Sequence, residues 1–267
     1  MTRARERGAG RSRTQRNRTP IWARPEPGTR RPSLSRELIA AAALEIADHE
    51  GFEQVSMRRI AEKLGAGTMT LYHYMRTKDD LLALMDDAIM GEALVPEGEM
   101  PADWRQGLAA IARRSRDVFV RHPWAFYALQ GARMGPNGLR HVEQSMAAVS
   151  SAPLDAASKV ALCGVIDDFV FGFVMRSIHI PGPSEPFGAA RDVNELVRAH
   201  IATGQFPHLR AFVGDDQPSE AFERALAWMN DGARFEFGLQ ALLDAVTAKR
   251  SIVLSEPRDH KRRTPTS

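Results

Sequence analysis

The sequence predicts an all-α fold. Apolar side chains recur every three or four residues through most of the 267 residues, which is the spacing of helices with one buried face. Proline and glycine cluster between these segments, and no segment alternates apolar and polar residues as a half-buried strand would. Hydrophobic residues make up 43% of the chain, enough for one large domain or for two unequal ones.

Charge and composition divide the chain into four parts. Residues 1–34 hold ten arginines, two glutamates and almost no aliphatic side chains, so they are predicted to be a disordered arm with a net charge of +8. Because the whole chain carries +3, the remainder carries −5. A basic arm on an acidic body suits contact with a polyanion, and equally suits a solvated tail without a partner. Residues 35–91 and 92–250 are predicted helical domains, and 251–267 a flexible tail.

Four short helices are predicted in the first domain. They span residues 36–50, 57–64, 68–75 and 77–91. Ser35, Ser56 and Thr77 stand where each can cap a helix by accepting a hydrogen bond from a free backbone amide. Gly51 is a good terminator for the first helix. A Gly-Ala-Gly turn at 65–67 separates the second and third helices, and this is the spacing of a helix-turn-helix.

Longer helices follow Pro101. They are predicted at roughly 102–121, 123–133, 137–149, 156–179, 189–202 and 219–248. Helix 156–179 is apolar almost all round. The last helix carries two apolar stripes, one of Phe222, Leu226, Met229, Ala233 and Phe237, and the other of Phe235, Leu239, Leu242 and Val246. Helices of this kind must be covered on more than one side. The cover is either a larger monomeric core or a second copy of the chain, and we favour a homodimer because helix-turn-helix proteins commonly bind two half-sites of DNA.

Several other classes of protein are disfavoured. The sequence has no glycine-rich phosphate loop, nucleophile elbow or metal-binding histidine pair, so an enzyme is not expected. The neighbouring Asp167 and Asp168 would point about 100° apart on a helix and form no facing dyad. No apolar run approaches membrane-spanning length, and the single Cys163 fits a reducing cytoplasm. We therefore expect a cytoplasmic protein without a metal or a cofactor.

Two stretches carry a family resemblance. They are A-L-E-I-A-D-H-E-G-F-E-Q-V-S-M-R-R-I-A-E-K-L-G at 43–65 and T-M-T-L-Y-H-Y-M-R-T-K-D-D-L-L at 68–82. Together they strongly resemble the DNA-binding domain of TetR-type regulators, and the remainder is more loosely similar to the tetracycline-repressor branch. The resemblance implies a homodimeric repressor that a small-molecule effector releases from a palindromic operator. A ligand-independent regulator or an activator is the alternative.

The third helix is the predicted recognition helix, and it offers short donors and aromatic rings to DNA. It lacks arginine and asparagine, so bidentate base recognition is not obvious. The resemblance assigns phosphate contacts to Tyr72 and Lys78, for which half-buried packing and a solvated cap are the alternatives. It also carries Arg58 to DNA, whereas Tyr74 can equally be packing. The predicted DNA contacts are Arg58, Thr68, Met69, Thr70, Tyr72, His73, Tyr74 and Lys78.

A cavity for the effector is predicted in the second domain. The candidates are Trp104, Trp124, Tyr127, Gln130, Met134, Phe169, Phe173 and Arg176, each of which can instead be plain core. If Arg176 is buried it needs an anion, either Asp168 or a ligand carboxylate, and it can also extend to the surface. The positions that hold magnesium and drug in tetracycline repressors fall on Leu94, near Leu129 and near Arg176. Since none of these residues binds magnesium, we expect a different effector.

Overall fold

The computed structural model describes residues 20–27, 34–129, 134–179 and 190–248, and within them every regular element is helical. This confirms the predicted all-α fold. The helices are α1 Arg36–Glu50, α2 Met57–Lys63, α3 Thr68–Tyr74, α4 Lys78–Ala93, α5 Trp104–Arg121, α6 Ala125–Ala128, α7 Pro136–Ala148, α8 Ala156–His179, α9 Ala190–Ala202, α10 Pro207–Val213, α11 Pro218–Asn230 and α12 Gly232–Ala248. Short 3-10 turns occur at Ile21–Ala23 and Phe52–Gln54.

The three predicted caps of the first domain are present. The hydroxyl oxygens of Ser35, Ser56 and Thr77 each accept a hydrogen bond from the amide three residues further along, at 3.2, 3.2 and 3.1 Å. Each such cap stabilises a helix by about 1 kcal/mol. The predicted terminator Gly51 follows α1 with a φ of 95°, which glycine adopts readily. Local sequence therefore sets the limits of α1, α2 and α4.

The turn between α2 and α3 depends on one glycine. Gly65 has a φ of 61°, in the left-handed region that other residues adopt at a cost. Its amide donates to the carbonyl of Glu62 at 3.2 Å, and the amide of Ala66 donates to Ala61 at 2.9 Å. This pair of bonds closes the end of α2 and reverses the chain. The recognition helix is thereby held at a fixed angle to α2.

The core beneath these helices is built from aliphatic side chains that recur at helical spacing. Leu71 and Met75, predicted to face inward, are fully buried. The other large contributors are Ile39, Ile46, Ile60, Leu81, Met85 and Ile89. Burying one such side chain stabilises the fold by roughly 1.5–3 kcal/mol. The four short helices therefore share a single apolar centre, as predicted.

Two compact units divide the chain, and their boundary differs from the predicted one. Residues 121–143, assigned from sequence to the second domain, pack with the N-terminal unit that ends at Leu94. The C-terminal unit comprises residues 95–120 and those from Gln144 onward. The reason lies in long-range contacts of residues 121–137, described below, which sequence spacing does not report. Among the described residues, no helix is long and apolar enough to cross a membrane.

Part of the predicted disordered arm is ordered. Ile21–Ala23 forms a 3-10 turn, and only 2% of the Ile21 surface is exposed. The prediction was wrong for residues 20–27 because it overlooked the apolar pair Ile21-Trp22 in an otherwise polar arginine-rich context. The rest of the predicted arm up to residue 33, and the predicted tail at 251–267, lie outside the described residues.

The helices after residue 121 also differ from the prediction. The predicted helix at 219–248 is two helices, because Asp231 is extended and its carboxylate accepts the amide of Ala233 at 2.9 Å. An aspartate that bonds a nearby amide competes with helix continuation. The helix predicted at 123–133 is reduced to α6, and α10 was not predicted. On α12, Phe235 and Leu239 are buried as one stripe of the prediction requires.

Candidate DNA interface and effector site

The outer face of α3 is exposed. Met69 is 75% exposed and Tyr72 43%, and the side chains of Thr70 and His73 also lie in solvent, with Thr68 partly covered. Leu71 lies on the opposite face of the helix and is fully buried. The predicted recognition helix therefore presents two hydroxyl groups, an imidazole, a phenol and a thioether on one surface.

Tyr74 does not belong to that surface. Its side chain is 8% exposed, and it lies three residues after Leu71 and one before Met75, on the buried face. The structure therefore corrects the prediction that Tyr74 contacts DNA. Its backbone carbonyl, at the last residue of α3, accepts a hydrogen bond from Nε of the buried Arg36 at 3.3 Å. Tyr74 thus fixes the end of α3 from within the core.

Three cations of the N-terminal helices are available to DNA phosphates. Arg58 on α2 and Lys78 at the start of α4, both predicted DNA contacts, are exposed, and Arg76 between α3 and α4 is exposed too. No ion pair involves any of the three within the described residues. Arg76 was not among the residues predicted to contact DNA, because its place in the link between α3 and α4 gave it no distinctive sequence pattern. Lys78 Nζ lies 6.0 Å from the centroid of the Phe52 ring.

Other cations of these helices are engaged. Arg59 contacts Glu50 at 2.9 Å and Glu62 at 3.0 Å, and Lys63 contacts Glu45 at 2.5 Å. These pairs are exposed, so each adds little stability, but they offset positive charge beside the recognition helix. The ion pair with Glu50 lowers the pKa of that carboxyl below its usual value. The N-terminal helices therefore offer DNA only a small number of uncompensated cations.

The predicted effector residues fall into both units. Trp124, Tyr127 and Met134 belong to the N-terminal unit, whereas Trp104, Phe169, Phe173 and Arg176 belong to the C-terminal unit, and Gln130 lies outside the described residues. Tyr127 and Met134 are more than half exposed. Trp104 is buried, and the guanidinium of Arg105 lies 4.3 Å from its ring centroid.

Trp124 has a structural role in the N-terminal unit. Its ring stacks on Phe52 at a centroid distance of 5.6 Å, and its Nε1 donates to Asp48 at 2.7 Å. His122, two residues earlier, is buried and lies between Asp48 and Glu92, at 2.8 and 3.3 Å. We therefore withdraw Trp124 as a pocket residue, because its polar atom and its ring already have partners inside the unit.

A cleft of about 780 Å³ opens in the N-terminal unit between α1, α4 and residues 121–140. Its lining is mixed, with the charged side chains of Asp48, Asp87, Glu92 and Arg140 beside apolar ones. Asp87 is buried and accepts the amide of Asn137 at 2.7 Å. No described candidate from the sequence lines this cleft. The sequence prediction of an apolar effector cavity therefore does not correspond to it.

An aromatic cluster lies in the C-terminal unit. The ring of Phe235 packs against Phe169 and Phe173, at centroid distances of 5.2 and 5.0 Å. Guanidinium groups flank these rings: Arg116 lies 4.4 Å from the Phe235 centroid and Arg234 lies 4.8 Å from that of Phe173. Phe169 and Phe173, two of the residues predicted to line the effector cavity, thus lie in one cluster. Phe235 was assigned from sequence only to a packing stripe.

Arg176 is exposed, so of the alternatives left open by the sequence, extension to the surface is the observed one. Burial and the nearby charge of Arg176 together lower the pKa of Arg234. Neither arginine has an ion pair within the described residues, and the guanidinium of Arg234 lies over the Phe173 ring. In the same described residues, no group of three or more metal-binding side chains is found.

Comparison with known proteins identifies the family. Residues 96–250, more than half of the chain, match the family described as the tetracyclin repressor-like C-terminal domain, and residues 39–85 match the bacterial regulatory proteins of the tetR family. The chain belongs to the TetR family. The resemblance inferred from sequence is therefore confirmed, and TetR-family membership makes this chain a transcriptional regulator with an N-terminal DNA-binding domain.

Relatives and solved structures agree with this assignment. An HTH-type transcriptional regulator of Saccharopolyspora erythraea is 38% identical, over 82% of this TetR-family chain and 93% of the relative. The HTH-type transcriptional repressor DrrR1 of Streptomyces coeruleorubidus is 30% identical, over 84% of this chain and 80% of the relative. Apo ActR of Streptomyces coelicolor has a similar structure, with a TM-score of 0.62 and 26% identity, over 82% of this chain and 97% of ActR.

Proposed function

We propose that this chain is a sequence-specific transcriptional repressor, that it binds a near-palindromic operator as a homodimer, and that a small-molecule effector releases it. The observation that carries the proposal is the exposed face of α3, with Thr70, Tyr72 and His73 beside the free cations Arg58 and Lys78. Hydroxyl and imidazole groups suit base edges, and the cations suit phosphates. In this proposal the chain acts in the cytoplasm and catalyses no reaction.

Apolar surface on α8 and α12 supports the homodimer. Phe237 on α12 is 70% exposed, and Val160 and Phe171 on α8 are 59% and 41% exposed. Large apolar side chains in solvent on two long helices favour association with another apolar surface. A second copy offers the same helices and places two recognition helices for two half-sites. Sedimentation of the variant Phe237→Glu tests this assignment, which predicts that the variant dissociates into monomers. Leu139→Glu, at an exposed position on α7, is the control.

The aromatic cluster of the C-terminal unit supports the effector site. Phe169, Phe173 and Phe235 suit a planar apolar molecule, and the neighbouring guanidinium groups of Arg176 and Arg234 suit an anionic substituent. ActR has been solved in complex with (S)-DNPA, at 26% identity and a TM-score of 0.60 to this chain. We infer that the effector is a planar organic molecule with at least one acidic group.

A selection experiment tests the proposal. Purified full-length protein is incubated with sheared genomic DNA, and the fragments that stay bound are recovered and sequenced. We expect a small set of fragments that share a near-palindromic motif, and planar acids tested for release should displace the protein from them. Recovery of DNA without a shared motif would contradict sequence-specific binding. A shared motif with no displacement by any of those acids would favour the ligand-independent alternative.

A further inference from the structure

The cleft of the N-terminal unit has the size of a ligand site. Its volume is about 780 Å³, and every residue that lines it belongs to this unit. Small-molecule sites in proteins generally measure about 300–1,000 Å³. The cleft shares no residue with the aromatic cluster of the C-terminal unit, to which the proposed effector was assigned. It is therefore a candidate site for a second ligand.

Small side chains on two helices leave this space open. The lining residues of α1 are those at 37, 40, 41, 44, 45 and 48, a helical spacing that places them on one face. Positions 40 and 41 are alanine, and Ala88 lines the cleft from α4. Ala40, Leu44 and Leu84 are buried and make an apolar floor. An apolar group of a ligand would thus be covered by both helices.

Negative charge predominates around this floor. The lining carries six carboxyl groups and three guanidinium groups, a net charge of −3 when its two histidines are neutral. Lys63 pairs with Glu45 from outside the lining, which leaves a surplus of two negative charges. A cleft lined mainly by one sign of charge attracts ligands of the opposite sign. The charge of the lining therefore favours a cation.

Asp87 is the carboxyl best suited to bind that cation. It is 6% exposed, yet no ion pair involves it within the described residues. The amides of Asn137 and Gly138 donate to one carboxylate oxygen, at 2.7 and 3.3 Å, and in the same part of the chain no hydrogen bond reaches the other oxygen. Arg140 donates instead to the side-chain oxygen of Asn137 at 3.0 Å. Burial raises the pKa of Asp87, although the two amides and Arg140 lower it.

An aromatic ring lies close to this carboxyl. Trp22 lines the cleft, and a Cβ at Gly135 would clash with the Asp87 carboxylate and lie 2.7 Å from the Trp22 ring. The missing side chain at Gly135 thus allows the ring and the carboxylate to approach one another. Tryptophan is the side chain whose ring attracts cations most strongly. A carboxylate, an indole ring and an apolar floor together suit a protonated amine that carries an apolar group.

We propose that this cleft binds an organic cation, a protonated amine with an apolar body. The ammonium group pairs with Asp87 beside Trp22, and the body covers the alanines of α1 and α4. This charge preference is opposite to that of the acidic effector inferred for the aromatic cluster, so the two sites select different ligands. Binding at the cleft requires no DNA, so its test does not depend on the proposed operator binding.

The test measures binding of phenethylamine to the full-length protein by isothermal titration calorimetry at pH 8. Phenethyl alcohol, which has the same ring and no charge, is the matched ligand. Asp87→Asn removes the proposed ion-pair partner and keeps an oxygen for the backbone amides. Its control, Asp86→Asn, removes a carboxyl one residue away and outside the lining, which is ionised at pH 8 because its pKa is raised only to about 6 by burial and by Asp87. Ala41→Phe fills the cleft, and Ala199→Phe, at an exposed position on α9, is its control.

We expect one site per chain, with an affinity for phenethylamine at least tenfold higher than that for phenethyl alcohol. Asp87→Asn should lose at least tenfold in affinity for the amine, and Asp86→Asn much less. Ala41→Phe should abolish binding and Ala199→Phe should keep it, and this pair decides the question if Asp87→Asn does not fold. The inference would be overturned by any of three results: no binding of phenethylamine at millimolar concentrations, equal affinities for the two ligands, or equal losses for Asp87→Asn and Asp86→Asn.

Discussion

Nδ1 of His122 lies 2.8 Å from the carboxylate of Asp48, although 74 residues separate them in the chain. The other ring nitrogen lies 3.3 Å from Glu92 on α4, and the Asp48 oxygen also accepts Trp124 Nε1. This cluster joins His122 and Trp124 to α1 and α4, the two longest helices of the N-terminal unit.

The His122 cluster should contribute measurably to stability. His122→Ala removes two contacts of a buried ring and leaves Asp48 with one partner fewer, so we expect a loss of about 2 kcal/mol in the free energy of unfolding. Urea denaturation followed by circular dichroism measures this loss. The exposed His208→Ala is the control and should stay close to the unaltered protein. Equal midpoints for the two variants would contradict the structural role of His122.

The helix-turn-helix turn should tolerate alanine at one glycine and not at the other. Gly65 has a φ of 61°, so Gly65→Ala should destabilise the protein by about 1 kcal/mol. Gly67 has a φ of −75°, and a Cβ there would meet its nearest neighbour, Thr70 Oγ1, at an ordinary 3.5 Å. Gly67→Ala should therefore be close to neutral. Thermal unfolding of both variants measures the two effects. A larger loss of stability for Gly67→Ala than for Gly65→Ala would show that the turn differs from the one described.

Phosphate and base contacts should be separable by substitution. Lys78→Gln should weaken binding to every duplex by a similar factor and lower the salt slope by about 1, because a phosphate contact carries no sequence information. Thr70→Val should instead change which bases are preferred, with little effect on the slope. Titrations of the selected operator and of single-base variants measure both effects, with Lys159→Gln as the charge control. A base-dependent loss for Lys78→Gln would contradict its assignment.

Asp167 should make stability depend on pH. Burial and the neighbouring Asp168 raise the pKa of its carboxyl to about 6. A raised pKa in the folded state favours the protonated form, so the stability that this group contributes is complete below its usual pKa and is lost as pH rises through about 6. Asp167→Asn should therefore stabilise the protein at pH 7, by about 1 kcal/mol after allowance for solvent screening.

The same substitution should have little effect at pH 4, where the carboxyl of the folded protein is already protonated. Chemical denaturation at the two pH values provides the comparison, and the exposed Asp215→Asn serves as control. An advantage for Asp167→Asn of equal size at both pH values would mean that packing, and not ionisation, is responsible.

Local features of the fold follow from short stretches of sequence. Ser35, Ser56 and Thr77 cap the helices that their neighbours predict, and Gly65 turns the chain between α2 and α3, because each acts on amides within a few residues. The exposed face of α3 follows from the spacing of Leu71 and Met75. For Tyr74 the sequence left both DNA contact and packing open, and the same spacing accounts for its place on the buried face.

Long-range partnerships do not follow from such stretches. The contact of His122 with Asp48 and that of Arg24 with Asp80 join residues 74 and 56 positions apart. Helical spacing reports which side of a helix is buried, but not the element that covers it. For this reason the packing of residues 121–143 with the N-terminal unit, and the contacts of Trp124 with Phe52 and Asp48, were not predicted. Phe235 was recognised as core, but its position between Phe169 and Phe173 depends on how α8 and α12 pack.

The most direct test of the central claim is a DNase footprint of the unaltered protein on the tightest fragment recovered from genomic DNA. The account predicts a protected near-palindrome whose half-sites are about one helical turn apart, since two recognition helices of a dimer read successive turns of one face of the duplex. Protection should persist at moderate salt. Binding that protects no defined site and disappears at moderate salt would contradict the account, because it would leave only the non-specific attraction of the basic arm.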